Sequence, residues 1–413
     1  MLKRVKIQGY KSLADVEVEL QPLTVLFGPN AAGKSNFLDA LQLLSRIVTG
    51  KNLKEAFSPP YRGLPLESFT FGPEGIEGLV AKSKVTFSIE VDVELSPITI
   101  DMVNTQIREM GGPKTTGYVR EKYLRYRLSI EILPKSGTLR VASEYLAALN
   151  SRGESVKKQT FLEWNGSGRY LHLEGRSPYR LESLDHSMLS ISHYPDLSPH
   201  VVAMREELAN WYFFYLEPRE RMRLPTPVRE VRHIGLMGEE LSAFLNTLRV
   251  LDEPQFRAIE KALHLLIPSI TGIDVSVNSL GEIDLKLMRG QTPIPARVLS
   301  EGTLRMLGLL ALGGAKEPPT LLGFEEPETG IHPERLDLVA TLLENLAGDN
   351  TQVIVTTHSP ILLDLLPPES LYAVRQKNEY TTIASLASMP SRGRKSGEET
   401  PLSERVLRGD FNA

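Results

Sequence analysis

Apolar and polar residues alternate over much of the first third of the chain. Leu2 to Ile7, Val16 to Leu20 and Thr24 to Phe27 form three short β-like runs, the last leading through a glycine-rich turn into a helix-like stretch, Ser35 to Ser45. After an irregular Gly- and Pro-rich stretch from Ser58 to Gly78, Val85, Phe87, Ile89, Val91, Val93 and Leu95 alternate with polar residues. That period predicts a strand buried on one face, suited to an antiparallel sheet. Pro97 to Pro113 interrupts the alternation, and Tyr123 to Ile132 resumes it with Arg125 and Arg127 on the polar face. From Ser143 to Arg232 the pattern is mixed, with helices expected at Tyr145 to Leu149 and Ser198 to Trp211.

The C-terminal part reads more clearly. Helices are expected over Glu239 to Leu251, Pro254 to Leu266 and Leu299 to Leu312, and alternating strands over Ile273 to Val277 and Ile283 to Met288. Thr320 to Phe324, Gln352 to Thr357 and Leu371 to Val374 are short apolar runs of the buried parallel-strand type, separated by the helix Pro333 to Leu346 and the helix-like Pro360 to Leu366. This α/β alternation gives four expected segments: an N-terminal lobe (1–96), an inserted subdomain (97–235), a C-terminal lobe (236–376) and a polar tail (377–413) with a short helix around Leu402 to Leu407.

The 413 residues, 41% hydrophobic and 24% charged, are enough for one large core or two modest ones. The absence of cysteine removes disulfides and cysteine-ligated metals from consideration and fits a reducing compartment, the cytoplasm by default. The opening residues alternate like a strand and unlike a signal peptide, and the apolar run Met306 to Ala315 is short and carries three glycines, so no membrane span is expected. A net charge of −4 argues against coating nucleic acid by bulk electrostatics but leaves room for a local basic groove.

The chemistry is concentrated in four motifs. Gly28-Pro29-Asn30-Ala31-Ala32-Gly33-Lys34-Ser35 follows a strand and opens a helix, the context of a phosphate-binding loop. Its backbone N–H groups, those of Asn30, Ala31, Ala32 and Asn36 in the same set, can wrap an anion at a helix start. Lys34 would reach the β- and γ-phosphates, and the Ser35 hydroxyl would ligate Mg2+. Thr320 to Glu326 is an apolar strand delivering two carboxylates at its carboxyl end: Glu325 for the metal, and Glu326 as the general base for an attacking water. His358, after the strand Gln352 to Thr357, is placed to sense a γ-phosphate. Ser300, in Leu299-Ser300-Glu301-Gly302-Thr303, reads either as an N-cap or, with Gly302, as a second anion site.

Taken in order, GPNAAGKS, LSEGT, GFEEPETGIHP and THS resemble the ABC-type ATPases of the RecF, SMC and OLD class, with Ser300 lying 265 positions beyond Ser35. Val5 to Leu13 is also similar to the lead strand of that class. The resemblance implies an ABC-type P-loop head in which antiparallel and parallel β lobes carry an inserted α/β subdomain. It implies ATP with Mg2+, and a head-to-tail homodimer, or a higher homo-oligomer, in which Ser300 and Gly302 of one copy close on the ATP held by Lys34 of the other. Two positions depart from the class: Glu325 where Asp is usual, and Glu301 where transporters have Gly. Only Gln376 to Ala413 follows the last expected strand, so no fused Toprim nuclease is expected.

Two partner classes remain open. Arg219, Arg221, Arg223, Arg229 and Arg232 lie near Trp211, Tyr212 and Tyr215, and Arg120, Lys122, Arg125 and Arg127 lie among Tyr118, Tyr123 and Tyr126. Such clusters can grip DNA, and a salt-bridged surface explains them equally well. The resemblance accordingly allows a DNA-acting repair or phage-defence ATPase, or an ATP-gated scaffold for a separately encoded effector.

Overall fold

The computed structural model describes residues 1–110, 118–150, 152–166, 170–174, 176, 179–180, 184–191, 193, 195, 197–313, 318–348, 350–388, 401–409 and 411. Its strands, in chain order, begin with β1 (Leu2–Tyr10), β2 (Leu13–Glu19), β3 (Leu23–Phe27), β4 (Val85–Glu94), β5 (Tyr123–Leu133), β6 (Thr138–Leu149), β7 (Ser155–Asn165), β8 (Tyr170–Leu173) and β9 (Tyr179–Arg180). They continue with β10 (Trp211–Phe214), β11 (Thr226–Pro227), β12 (Gly272–Val277), β13 (Glu282–Arg289), β14 (Thr292–Pro295), β15 (Leu321–Glu325), β16 (Gln352–Thr357), β17 (Leu371–Lys377) and β18 (Tyr380–Ser385). The contacts divide them into two compact units, one of residues 1–22, 28–211 and 372–388, the other of 23–27, 212–371 and 389–413.

The first unit is built on an eight-stranded antiparallel sheet ordered β2-β1-β4-β5-β6-β7-β8-β9. One face buries Val5, Ile7, Ile89, Val91, Leu124, Tyr126 and Leu128, as the alternation requires. On the opposite face, register places Asp92 between Arg4 and Arg125. Arg4 Nε donates to Asp92 at 2.8 Å and Arg125 Nε at 2.6 Å, while Lys122 pairs with Glu94 at 2.9 Å and Arg127 with Glu90 at 3.6 Å. These basic side chains are thus neutralised by cross-strand carboxylates.

Two sequence expectations fail in this unit. Tyr145 to Leu149 is the end of strand β6 and not a helix. Antiparallel pairing with β5 continues through Arg125↔Ala147 and Leu124↔Ala148, and the sheet overrides the helical preference of Leu and Ala. Pro97 to Met110, read as an interruption, is a helix. Ser96 Oγ accepts from Thr99 N–H at 3.1 Å to cap it, Pro97 stands at the first position, and Thr99, Val103 and Ile107 form its buried stripe. The C-terminal part of this unit adds a further strand to the expected set, because β18 pairs antiparallel with β17.

The second unit has parallel strands β15, β16 and β3 side by side, with β10 beyond β15, and a smaller antiparallel sheet in which β13 pairs with β11, β12 and β14. Every residue of β15, β16 and β3 is buried, as for strands covered on both faces. The helices Leu241–Leu251, Glu253–Leu266, Glu301–Leu312 and Leu336–Leu346 lie close to the expected bounds. The short helix Leu402–Leu407 is present as expected, while residues 389–400 of the polar tail lie outside the described residues. Among the described residues no helix is long and apolar enough to cross a membrane.

Candidate functional site

In the first unit, the phosphate-loop sequence forms a tight turn whose glycines are required by both conformation and space. Gly28 has φ 153° and Gly33 φ 103°, and Ala31 is also left-handed at φ 61°. A Cβ on Gly28 would overlap the Val374 carbonyl oxygen, and one on Gly33 would overlap the Thr381 hydroxyl. Gly33 caps the helix Lys34–Thr49 in the left-handed conformation and brings no side chain of its own to the helix start, the place where a phosphate loop meets an anion. Lys34 is buried and folds back to donate to the Gly28 and Pro29 carbonyls at 2.8 and 2.9 Å. Its ammonium spans the mouth of the loop. Asn30 and Ala31 are exposed there, Ser35 and Asn36 half-buried and Ala32 buried.

A chain of polar side chains braces this loop from beneath. Thr381 Oγ1 donates to the Ala32 carbonyl at 2.8 Å, so it must accept from Ser12 Oγ at 2.7 Å, which in turn accepts from Asn36 Nδ2 at 2.8 Å. Asn36, expected in the cofactor-binding set, spends its side-chain amide on Ser12. Lys11, also left-handed at φ 45°, pairs with buried Asp39 at 2.7 Å on the same helix. Sequence reasoning missed Ser12 and Thr381. Ser12 sits in the recognisable lead-strand string, whereas nothing local marks Thr381.

In the second unit the register aligns the carboxyl ends of the parallel strands: Glu325 pairs with Thr356, Thr356 with Leu26 and Thr357 with Phe27. The phosphate loop starts at the next residue, Gly28. Glu325 is 8% exposed at the end of β15. Glu326 turns the chain sharply at φ 47° and is held by its N–H to the Thr356 carbonyl at 2.9 Å. Its Oε2 accepts from Thr329 Oγ1 at 3.0 Å, and its Oε1 stands 3.6 Å from His358 Nε2. Both side chains remain partly exposed, so Glu326 can bond a water. Ser35, in the first unit, and Glu325, in the second, each carry a hard oxygen donor of the kind Mg2+ takes, and no group of three potential metal-binding side chains occurs among the described residues.

Ser300 caps the helix Glu301–Leu312: its hydroxyl accepts from Thr303 N–H at 3.3 Å and lies 2.8 Å from Thr303 Oγ1. Ser300 is exposed, so capping leaves it accessible to an anion. Gly302 packs so closely on the loop after Glu326 that a Cβ there would overlap the Gly330 carbonyl oxygen. The Arg219 guanidinium donates to Glu301 at 2.6 Å, and Arg223 donates to the Arg297 and Leu299 carbonyls at 3.1 and 2.9 Å. Arg229 pairs with Glu240, and Arg232 with Glu230 at 3.2 Å. Arg219, Arg223, Arg229 and Arg232 thus have partners within the second unit, and Trp211 is buried.

Residues 1–99 match the family described as "AAA ATPase domain", and residues 173–364 match that described as "AAA domain, putative AbiEii toxin, Type IV TA system". An OLD nuclease of Thermus scotoductus is 22% identical over 408 residues, covering 93% of this chain and 64% of that protein. A chromosome partition protein Smc of Desulfitobacterium hafniense is 25% identical over 195 residues, covering 45% of this chain and 16% of that protein. The chain thus spans less than two thirds of the length of either relative. Among solved structures, an Smc head bound to the C-winged helix domain of ScpA superposes with a TM-score of 0.55 at 12% identity, covering 93% of this chain and 96% of that one. A Pyrococcus furiosus Smc head with an extended coiled coil, bound to the C-terminal domain of ScpA, gives 0.50 at 11% identity, with 99% of each chain covered.

Proposed function

From the premise that the chain is an ABC-type ATPase head of the RecF, SMC and OLD class, we propose that it binds and hydrolyses ATP with Mg2+ between two copies of itself. The observation that carries this reading is the alignment of Phe27, Thr357 and Glu325 at the ends of adjacent parallel strands, because ligands of open α/β sheets bind beyond those ends. In this reading the loop Gly28–Ser35, with Asn30, Ala31, Ala32 and Asn36, cradles the phosphates. Lys34 exchanges its two carbonyl partners for phosphate oxygens. Ser35 and Glu325 would hold Mg2+, which when bound would supply positive charge against the phosphates. Glu326 orients and deprotonates the attacking water, and His358 bonds the γ-phosphate. Ser300 and Gly302 of the second copy close the site at a helix start.

The setting we infer from the resemblance to that class is DNA repair, DNA maintenance or phage defence in the cytoplasm. A second reading makes the protein an ATP-gated scaffold for a separately encoded effector. It is favoured by the pairing of Lys122, Arg125 and Arg127 with carboxylates of their own sheet, which leaves these residues little charge for DNA.

The test is ATP turnover per chain across a range of protein concentrations, with and without double-stranded DNA, using Glu326→Gln as the blank. Turnover that rises with concentration supports the composite site, and a further rise with DNA supports the DNA-acting role. A rate independent of concentration refutes the sandwich. A rate indifferent to DNA favours the scaffold.

A further inference from the structure

Glu328 is buried, belongs to none of the roles assigned above, and lies two residues beyond Glu326. Its Oε1 accepts from Thr357 Oγ1 at 2.6 Å and from the backbone N–H of His358 at 3.1 Å. Thr357 Oγ1, in turn, accepts from Ser359 N–H at 3.0 Å. One carboxylate oxygen on the turn after β15 therefore holds the last residue of β16 and the one that follows it, His358, directly, and Ser359 through Thr357. The other oxygen, Oε2, is buried without a hydrogen-bond partner. A desolvated carboxylate with half its acceptor capacity unused is costly to keep for packing alone.

We propose that Glu328 is a positioning residue for hydrolysis, which sets the distance between the His358 imidazole and the Glu326 carboxylate by tying the His358 backbone to the Glu326 turn. The two groups it relates stand 3.6 Å apart, a separation that displacement of either loop would change. The proposal rests on the reading of Glu326 and His358 as hydrolytic residues. It adds that their geometry is imposed by a third side chain that touches neither nucleotide nor water.

The experiment compares Glu328→Ala with Glu328→Gln in the full chain, both checked for an unchanged melting profile. Gln keeps a carbonyl oxygen for Thr357 and His358, and Ala keeps nothing. Two readouts are taken: steady-state ATP hydrolysis, and amide hydrogen exchange at His358 in 15N-histidine-labelled protein, with the His358 signal identified by its loss in His358→Gln. Glu328→Ala is expected to lower kcat about ten- to a hundredfold, the factor one or two hydrogen bonds to a charged group are worth, with KM for ATP little changed. His358 amide exchange is expected to accelerate by about the same factor. Glu328→Gln is expected to restore both.

If Glu328→Ala leaves exchange at His358 unchanged, the proposal is overturned whatever the turnover does. If Glu328→Gln loses as much turnover as Glu328→Ala while keeping His358 protected, the residue acts through its charge and the positioning role is likewise overturned. A parent protein that does not hydrolyse ATP would sink the ATPase reading, and the exchange measurement would still decide the tether.

Discussion

Gly302→Ala separates the stability of the fold from the geometry of the hydrolytic loop. The new methyl group would overlap the Gly330 carbonyl oxygen and also stand 3.3 Å from the Gly330 carbonyl carbon and 3.7 Å from Ile331 Cα. All three are backbone atoms, so no side chain can rotate away and the loop after Glu326 must move. Within the helix Glu301–Leu312, Ala gains about 1 kcal/mol over Gly, against about 1–3 kcal/mol for the added crowding. The net loss is about 0–2 kcal/mol, or a few degrees of Tm at most. The displacement itself costs more in function, because Gly330 follows Thr329, whose hydroxyl holds Glu326 at 3.0 Å. A shift of roughly 1 Å there lowers turnover about a hundredfold. The assay is single-turnover ATP hydrolysis beside nucleotide affinity and a melting curve. Affinity of the single chain should stay near the parent value because the Lys34 loop of that chain is untouched. Turnover within about twofold of the parent, in a protein that melts normally, would refute the claim that the signature turn and the loop after Glu326 are mechanically one piece.

Lys34→Ala should weaken ATP binding by about a hundredfold or more, measured by fluorescent-nucleotide titration; unchanged affinity would remove Lys34 from the site. Ser300→Arg should leave ATP binding by the single chain intact and abolish ATP-dependent dimerisation in light scattering, provided the Glu326→Gln parent dimerises with ATP. Although burial opposes it, hydrogen bonds from Lys3 and Lys122 hold the Glu94 carboxyl down at about 2. Its contribution to stability is fully present above about pH 4.5 and is lost as pH falls through about 2. Between those values Tm of Glu94→Gln should therefore fall less steeply with acidification than that of the parent, and parallel curves would discount the pairing.

The local setting of each candidate motif was legible in the sequence: a strand before Gly28, a helix after Ser300, and apolar strands before Glu325 and His358. What the sequence hid depends on partners far along the chain. Thr381 braces Ala32 from across the first unit, a contact no local spacing encodes. Glu328 stood in plain view as the last acidic residue of Glu325-Glu326-Pro327-Glu328, yet its role appears only when Thr357 is brought within 2.6 Å. The pairing of the basic strand face was hidden for the same reason, since Asp92 and Glu90 reach Arg125 and Arg127 only through sheet register. The helix Pro97–Met110 was the avoidable miss, as Ser96 and Pro97 form a readable start signal.

Strand β3 carries a consequence for how this protein is made. It is synthesised well before its parallel neighbour β16, Val25 pairing with Val355. Until β16 is made the strand that leads into Gly28 has no such neighbour, and the candidate phosphate loop lacks support from that side. Long-range parallel pairing of this kind closes slowly.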